Sequence, residues 1–294
     1  MPDPPNMRSA STNCLLPLLI CVIAATAQSA DAQINVLVGA VADSNWTSET
    51  IAPGVVLRQN HFKSLLGLPQ FVSVLEIDME QDGLSSDVVR ADSGLVRTSA
   101  IAEGTDAVAA VNGSYFEKDG TSSLFFQDNG RLVRADDNGV SKPHEGAALA
   151  VEPDGDAVVV RRPEPAWRPI SAFADLLVSG PLLVWDGEIV EGDAIAFNLT
   201  HHPRTAAGVT LDNKLILLTA DGRNTESAGM TTTEVALMMQ ALGCWTAMNL
   251  DGGGSTTMWV RGRGVVNHPS DNKVFDAGGE RPVANAIVVR ARDD

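Results

Sequence analysis

The sequence predicts an α+β fold: a single domain with a large mixed, mostly antiparallel sheet and a few packed helices. Two observations lead to this prediction. Short apolar runs bounded by turn residues recur along most of the 294-residue chain, as the strands of hairpins do. Only residues 232–242 show a clear helical spacing of apolar residues. No linker-like stretch separates two halves, and strands with a few interspersed helices are typical of α+β domains.

The first residues are expected to be an export signal rather than part of the fold. An uncharged apolar run covers residues 14–25, with a basic residue before it and small residues after it. This order is typical of a secretory signal peptide covering residues 1–32, with cleavage after Ala27 or Ala32 and a folded domain over 33–294. The run is shorter than the ~20 residues that span a bilayer, so we expect no stable membrane anchor.

Composition narrows the expected partners and location. The 21 basic and 37 acidic residues give a formal net charge of −16, which argues against nucleic acid because phosphates require a basic surface. Only Cys244 lies beyond the expected signal, and export without a disulfide predicts a bacterial periplasmic or secreted protein. We expect no cofactor; the acidic chain is compatible with a divalent cation such as calcium, but no EF-hand-like loop indicates one. The sequence leaves the oligomeric state open.

Nine strands are expected, each an apolar or β-branched run that ends at turn residues. The turns Asp154-Gly155 and Asp212-Asn213 join two pairs of them as hairpins. The predicted strands are residues 71–77, 108–111, 147–151, 157–160, 182–185, 206–211, 215–220, 256–261 and 284–290.

The clearest helix is predicted over residues 232–242 (TTEVALMMQAL), where apolar residues recur at i, i+3, i+4 and i+7. Thr231 and Glu234 match the capping box at its start, because a Ser or Thr is followed three residues later by Glu. Gly243 stands where a C-terminal cap belongs. Two further helices are predicted at residues 96–103 and 170–176.

Two polar clusters lie beside predicted strands in the first part of the domain. AVNGSYF ends a strand at Asn112, which is either an ordinary turn that packs Tyr115 and Phe116 or a binding position. HHPRTAAG opens a strand at Arg204, which is either a solvated arginine at a sheet edge or part of a site. The two adjacent histidines of this cluster would face opposite sides of a strand, so we do not predict a metal site there.

Two more clusters follow. LLTADGR brings Asp221 and Arg223 to the end of an apolar strand; this is either a plain Asp-Gly turn or a carboxylate and guanidinium suited to an oxyanion or sugar hydroxyls. AMNLDGGGSTTM places Asn249 and Asp251 before three glycines, which predicts close approach of the backbone to a ligand and an anion-binding nest of amides. The spacing of a P-loop and the helix of the dinucleotide fingerprint are both missing.

In this order, AVNGSYF, PRTAAGVT, LLTADGR and GMTTTEVALMMQALGCWTAMNLDGGGSTTMWV resemble the phosphodiester glycosidase family from about residue 72 to residue 289. The resemblance implies a phosphodiester glycosidase-like domain that hydrolyses a sugar–phosphate diester at the anomeric carbon and releases a free sugar and a phosphomonoester. Its substrate would be a carbohydrate or sugar phosphate. Two alternatives are a carbohydrate-binding protein that has lost hydrolysis and an assembly factor for exopolysaccharide.

The chemistry of such a diester suggests how its phosphate would be held. Phosphate is already a stable leaving group, so the need for a strong general acid is reduced. Arg204 and Arg223 are predicted to clamp the phosphate, because guanidinium groups can contact it through two donors at once. The residues predicted to complete this phosphate cradle are Gly252, Gly253, Gly254 and Ser255 or Thr256.

The remaining polar residues are expected to act on the sugar. Asp251 and Asp221 are the predicted catalytic carboxylates, acting as a base or stabilising a positively charged sugar, in the two-carboxylate pattern of glycosidases. Asn112 and Asn249 are predicted to bind sugar hydroxyls. Glu234 is fully explained by the capping box, and a direct catalytic role is the alternative.

Overall fold

Antiparallel strands make up most of the part of the chain that the structure describes. The computed structural model describes residue 32 and residues 34–42, 45–91, 94–135 and 144–291. The expected signal peptide, apart from residue 32, therefore lies outside the described residues. No helix within them is both long and apolar enough to cross a membrane.

Eight strands form the first sheet, and every neighbouring pair in it is antiparallel. In spatial order they are β1 (Thr47–Ala52), β2 (Val55–Leu65), β3 (Leu68–Asp78), β15 (Lys214–Ala220), β14 (Arg204–Thr210), β16 (Cys244–Asn249), β12 (Leu182–Trp185) and β13 (Glu188–Ile189).

Two five-stranded sheets and a two-stranded one complete the strands. The second sheet is β10 (Ala157–Arg161), β9 (Ala147–Val151), β11 (Asp175–Ser179), β7 (Phe126–Asp128) and β8 (Arg131–Arg134). The third is β18 (Gly264–Val265), β17 (Met258–Val260), β6 (Ala109–Asn112), β20 (Asn285–Ala291) and β4 (Leu84–Arg90). The small sheet is β19 (Pro282–Val283) and β5 (Val96–Arg97).

Four short helices accompany the sheets among the described residues. They are α1 (residues 34–41), α2 (Thr98–Gly104), α3 (Ala196–Leu199) and α4 (Thr232–Ala241). The α+β prediction is confirmed, with a refinement: the strands form three main sheets rather than one, and every strand pair in the described residues is antiparallel.

The central strand β15 of the first sheet is buried on both faces, which explains its nearly continuous apolar sequence. Leu215 and Leu217 point into a core shared with the other two large sheets, because successive side chains of a strand alternate between faces. Ile216 and Leu218 point to the opposite face, where they lie in a second core with α4. This double burial fixes the position of the end of β15, where the candidate site begins.

The predicted helix at residues 170–176 is wrong. A single turn forms there, in which Phe173 N donates to Ile170 O (3.1 Å), and the chain then enters β11 between β9 and β7. Leu176 and Leu177 are both fully buried, on opposite faces of the second sheet, so their apolar spacing reflects a two-sided strand. The hairpin of β1 and β2 was not predicted from the sequence.

A pair of carboxyl groups lies between the second and third sheets. Asp175 is 1% exposed, and its Oδ1 accepts a hydrogen bond from Asn129 N (2.9 Å). Burial and the neighbouring Asp87 raise the pKa of Asp175 to about 7. Asp87 in turn accepts a hydrogen bond from Arg290 Nη1 (2.6 Å). The ionised form of Asp175 is therefore unfavourable in the folded protein.

Replacing Asp175 with Asn should stabilise the protein progressively as the pH rises. The folded pKa lies above the ordinary value of 3.8, so wild-type stability is complete below about pH 4 and is lost as the pH rises through about 7. Asn resembles the protonated acid and does not ionise. The gain in unfolding free energy of Asp175→Asn should grow between pH 4 and pH 8 by roughly 2–4 kcal/mol, measured by denaturant unfolding. Asp186→Asn at an exposed turn is the control, and a pH-independent gain in Asp175→Asn would contradict the account.

Candidate active site

Three neighbouring strands of the first sheet bring the predicted site residues to one edge. Arg204 opens β14 and lies opposite Ala220, the last residue of β15, while Asn249 ends β16 and lies opposite Ala206. Asp221 follows β15 directly. Because these strands are antiparallel, the start of β14 lies beside the ends of its two neighbours. The fold therefore unites three of the four predicted clusters.

Asn112, at the end of β6, connects the fourth cluster to this edge. Its Nδ2 donates to Asp251 O (2.7 Å), and its Oδ1 accepts from Thr205 Oγ1 (2.7 Å) and Thr257 N (3.1 Å). Asp251 N donates to Gly113 O (3.0 Å). The fully buried amide is occupied by these bonds and fixes the backbone at Asp251. The sugar-binding role of Asn112 stays a prediction, without a free polar atom to support it.

The Asp251 carboxyl group lies at the centre of the site. Its Oδ1 accepts a hydrogen bond from Gly252 N (2.9 Å). Burial raises the pKa of Asp251 to about 6, while the Ser255 hydroxyl, the Gly252 amide and the guanidinium groups of Arg281 and Arg223 act in the opposite direction. At neutral pH the group is mostly a carboxylate, and it exchanges its proton in the mildly acidic range.

The glycine run allows the chain to pass very close to its neighbours. A Cβ on Gly252 would lie 2.7 Å from Pro203 O, and one on Gly253 would lie 2.9 Å from Arg223 Nη2. Gly253 also has a φ of +63°, which L side chains rarely adopt. The predicted close approach is thus present, and it is made to protein groups that include the Arg223 guanidinium.

The amides of this run are largely satisfied within the protein. Gly252 N binds the carboxylate that precedes it, and Gly253 N donates to Pro203 O (2.8 Å). The amides of Ser255 and Thr256 close a 3₁₀ turn, with distances of 3.2 and 3.3 Å. The hydroxyl oxygen of Thr256 is buried without a partner among the described residues, whereas the Ser255 hydroxyl acts on the Asp251 carboxylate. Four amides of the predicted nest are therefore bonded within the protein rather than free for an anion.

Gly254 lies against an ion pair. Arg281 donates to Asp271 through Nε (2.7 Å) and Nη2 (2.8 Å), and a Cβ on Gly254 would overlap both side chains. The same guanidinium acts on the charge of Asp251. Arg281 was not among the predicted site residues, because it lies far along the chain in a loop without a motif.

Arg204 is fully buried and has no carboxylate partner among the described residues. Its Nε donates to Met230 O (2.9 Å), and its Nη2 donates to Phe197 O (2.5 Å) and Thr200 O (2.9 Å). Its Nη1 has no partner in the described part of the chain. Burial lowers the pKa of Arg204 to about 10 while the charge of Glu234 acts in the opposite direction, so Arg204 remains a cation at neutral pH.

Arg223 is exposed, whereas Arg204 is buried. No hydrogen bond or ion pair holds its guanidinium among the residues that the structure describes. The two arginines are close enough that the charge of Arg223 contributes to the lowered pKa of Arg204. The structure therefore brings together the two cations predicted to clamp a phosphate.

Tyr115 and Asn249 line the buried side of the site. Tyr115 Oη donates to Gly180 O (2.8 Å) and accepts from Asn249 Nδ2 (3.0 Å). Burial raises the pKa of Tyr115, so the phenol stays protonated. Asn249 Oδ1 is buried without a partner among the described residues, and the sugar-binding role of Asn249 stays a prediction. The rings of His144 and Phe197 pack beside Tyr115, at 5.2 and 6.1 Å.

Glu234 forms the predicted capping box at the start of α4. Thr231 Oγ1 accepts from Glu234 N (3.2 Å), and Glu234 Oε2 accepts from Thr231 N (2.7 Å). Gly243, with a φ of +86°, follows the C-cap residue Leu242. His201 Nε2 lies 3.1 Å from Glu234 Oε2. The local prediction is confirmed, and the alternative catalytic role of Glu234 stays a prediction.

Asp221 is 1% exposed, and other side chains occupy both of its oxygens. Oδ1 accepts from Asn267 Nδ2 (2.9 Å), and Oδ2 lies 2.7 Å from His268 Nδ1. His268 follows Asp221 by 47 residues and was not among the predicted site residues. The only signal was a lone histidine between Asn267 and a proline. Within the described ranges, no group of three or more His, Cys, Asp or Glu residues is placed to hold a metal ion.

Sequence comparisons relate the chain to phosphodiester glycosidases. The family described as phosphodiester glycosidase matches residues 105–290. The chain is 31% identical over 159 residues to the mouse N-acetylglucosamine-1-phosphodiester alpha-N-acetylglucosaminidase, covering 49% of this chain and 29% of that protein. It is 37% identical over 93 residues to the SPbeta prophage-derived uncharacterized protein YomE of Bacillus subtilis (strain 168), covering 32% and 13%. The chain thus spans less than a third of each of these relatives.

Solved structures share the fold. A hypothetical protein from Synechocystis has a TM-score of 0.65 at 18% identity, covering 85% of this chain and 64% of that one. The zebrafish N-acetylglucosamine-1-phosphodiester alpha-N-acetylglucosaminidase catalytic domain, described as auto-inhibited by its pro-peptide, has a TM-score of 0.63 at 22% identity, covering 85% of both chains. A Burkholderia pseudomallei protein described as exported has a TM-score of 0.53 at 21% identity, covering 76% and 74%.

Proposed function

This chain belongs to the phosphodiester glycosidase family, and we propose that it is an exported hydrolase that cleaves a sugar-1-phosphodiester to a free sugar and a phosphomonoester. The observation that carries the proposal is the Asp251 carboxyl group, which lies within the electrostatic influence of Arg223 and Arg281. Arg281 is paired with Asp271, but the Arg223 guanidinium has no such partner among the described residues. A carboxylate near an unpaired cation suits a reaction in which positive charge develops on the sugar and negative charge leaves with the phosphate.

The arginines would bind the diester phosphate. Arg223 is exposed and unpartnered among the described residues, so it can turn its planar guanidinium towards a phosphate. Arg204 adds a buried cation whose Nη1 is still without an acceptor there. A phosphate bound between them would give Arg204 Nη1 the acceptor that it lacks among the described residues. Because a phosphomonoester is a stable leaving group, these contacts replace much of the work of a general acid.

Asp251 would act on the sugar as the phosphate departs. Its carboxylate stabilises the oxocarbenium-like transition state by charge, from a position that Asn112 and Gly113 fix through the backbone. Asn249 Oδ1 would accept a hydrogen bond from a sugar hydroxyl. The name of the mouse relative supports an N-acetylated aminosugar as one substrate to test.

Asp251→Asn should lower turnover of a sugar-1-phosphodiester by a factor on the order of 10²–10⁴, the usual range for losing an acid–base group. Asn keeps the shape of the side chain, so the midpoint of thermal unfolding should be unchanged or higher, since burial already disfavours the ionised carboxylate. Release of free sugar is the readout, because mere binding would not produce it. Near-wild-type turnover in Asp251→Asn would remove this assignment.

Glu234→Gln separates capping from catalysis in the same assay. Gln can also complete the capping box, so this variant should keep near-wild-type turnover and stability. A folded but inactive Glu234→Gln would assign catalysis to the start of α4 instead.

Arg223→Lys should lower turnover of the phosphodiester by roughly 10–100-fold, because an ammonium cannot reproduce two parallel guanidinium contacts. Gly253→Ala should also lower it, since its Cβ would displace Arg223 Nη2. Gly262→Ala is the matched control: its φ is +77° and a Cβ there meets nothing within 4 Å. An aryl glycoside without phosphate should be less affected than the phosphodiester. Equal losses on both substrates would mean that Arg223 serves the sugar or the fold.

Export is part of the proposal. The apolar run at residues 14–25 and the following small residues support a cleaved signal peptide, and one structural relative is described as exported. Sequencing the N-terminus of protein recovered from the periplasm or medium should find a start just after residue 27 or 32. A chain recovered there that still carries residues 14–25 would contradict this part of the proposal.

A further inference from the structure

We propose that His268 accepts the proton of the attacking water, and that Asp221 is the positioning residue that orients it. This inference rests on the proposed hydrolysis and assigns the base that the reaction still requires. It also changes the role predicted for Asp221. Asp221 is almost fully buried and its two oxygens bind Asn267 and His268, so it acts through His268 rather than by touching a substrate.

The hydrogen bond between the two side chains fixes the tautomer of His268. Nδ1 lies 2.7 Å from Asp221 Oδ2, and a carboxylate can only accept, so Nδ1 carries the hydrogen. The backbone N of His268 donates to the same oxygen (3.0 Å). In neutral His268 the lone pair therefore lies on Nε2, for which the structure shows no partner among the described residues. This is the arrangement by which a carboxylate prepares a histidine to act as a base.

Two aromatic rings hold the imidazole in place. Phe275 stacks on it with a centroid distance of 3.7 Å and an interplanar angle of 17°, and Phe71 meets it edge to face at 4.6 Å and 83°. The side chain of His268 is still 21% exposed. A ring that is fixed in orientation and open at its edge can meet a small solvent molecule. The charged groups near it include Asp221 and Asp276.

The pair of Asp221 and His268, called the dyad below, lies at the same edge of the first sheet as the proposed phosphate site. Asp221 is two residues before Arg223, whose guanidinium lies against Gly253. On the other side, Asn267 Nδ2 bridges Asp221 Oδ1 and Thr256 O (3.1 Å). The carboxylate that orients His268 is thus joined directly to the loop that carries Asp251.

The proton and electron balance needs no further reactant. As the water oxygen bonds to the anomeric carbon, Nε2 takes one water proton. The bond from that carbon to the phosphate oxygen breaks, and its electron pair leaves with the phosphomonoester. The imidazolium, paired with Asp221, then releases the proton to solvent.

Turnover of the sugar-1-phosphodiester by full-length variants tests the assignment. His268→Ala should lower kcat by a factor on the order of 10²–10⁴ with a smaller change in KM, and added imidazole should restore part of the rate. His268→Gln provides a second variant that keeps side-chain volume. His61→Ala is the matched control, because His61 also packs on Phe275 (5.6 Å) but makes no bond to Asp221. Asp221→Asn should be impaired, and the double variant Asp221→Asn/His268→Ala should be no slower than His268→Ala.

The outcomes separate this inference from the proposed function. No sugar release by the wild-type protein would be a failure of the proposed function. Nitrogen NMR of the unliganded protein still tests the dyad, because it should show the Nδ1-protonated tautomer of neutral His268. An Nε2-protonated tautomer would overturn the inference. If the wild type is active, three results would also overturn the inference. They are turnover by His268→Ala as fast as that of His61→Ala, a loss of rate that added imidazole does not restore, and additive losses of rate in the double variant.

Discussion

The hydrogen bonds of one buried amide, that of Asn112, set the geometry on which the candidate site depends. Asn112 ends a strand of the third sheet, and it binds Thr205 in the first sheet and the backbone at Asp251 and Thr257. These contacts connect elements that are otherwise separate layers. Because the amide is fully buried, a lost partner would leave an unsatisfied polar group, so the three contacts hold as a unit. The position of the Asp251 carboxyl group follows from them.

Burial shifts the pKa values of the acidic and the basic group of the site in opposite directions. It raises the pKa of Asp251 and lowers that of Arg204, so each charged form is less favourable than it would be in water. Arg204 has no carboxylate partner among the described residues, although the chain as a whole is strongly acidic. In the proposed function, an anionic substrate relieves this imbalance when it binds. The same low-dielectric surroundings would strengthen the contacts to the departing phosphate.

The parts of this structure that sequence could predict are those set by neighbouring residues. The strand at 147–151 and the capping box at Glu234 depend on local spacing, and both were confirmed. The turn and strand at 170–176 resembled a helix because burial on two faces gives apolar residues without strict alternation. The pairing of Asp221 with His268 spans 47 residues and depends on the meeting of separate sheets. Motif order predicted which residues gather, but only the fold shows which of their polar atoms are still free.

Hydrolysis of a sugar-1-phosphodiester in ¹⁸O-labelled water tests the central claim most directly, because it reports which bond breaks. Attack at the anomeric carbon, assisted by Asp251, predicts that the label enters the released sugar and that the phosphomonoester carries none. Mass spectrometry of both products, quenched early to limit exchange into the free sugar, gives the answer. Label in the phosphomonoester would show attack at phosphorus and would contradict the account.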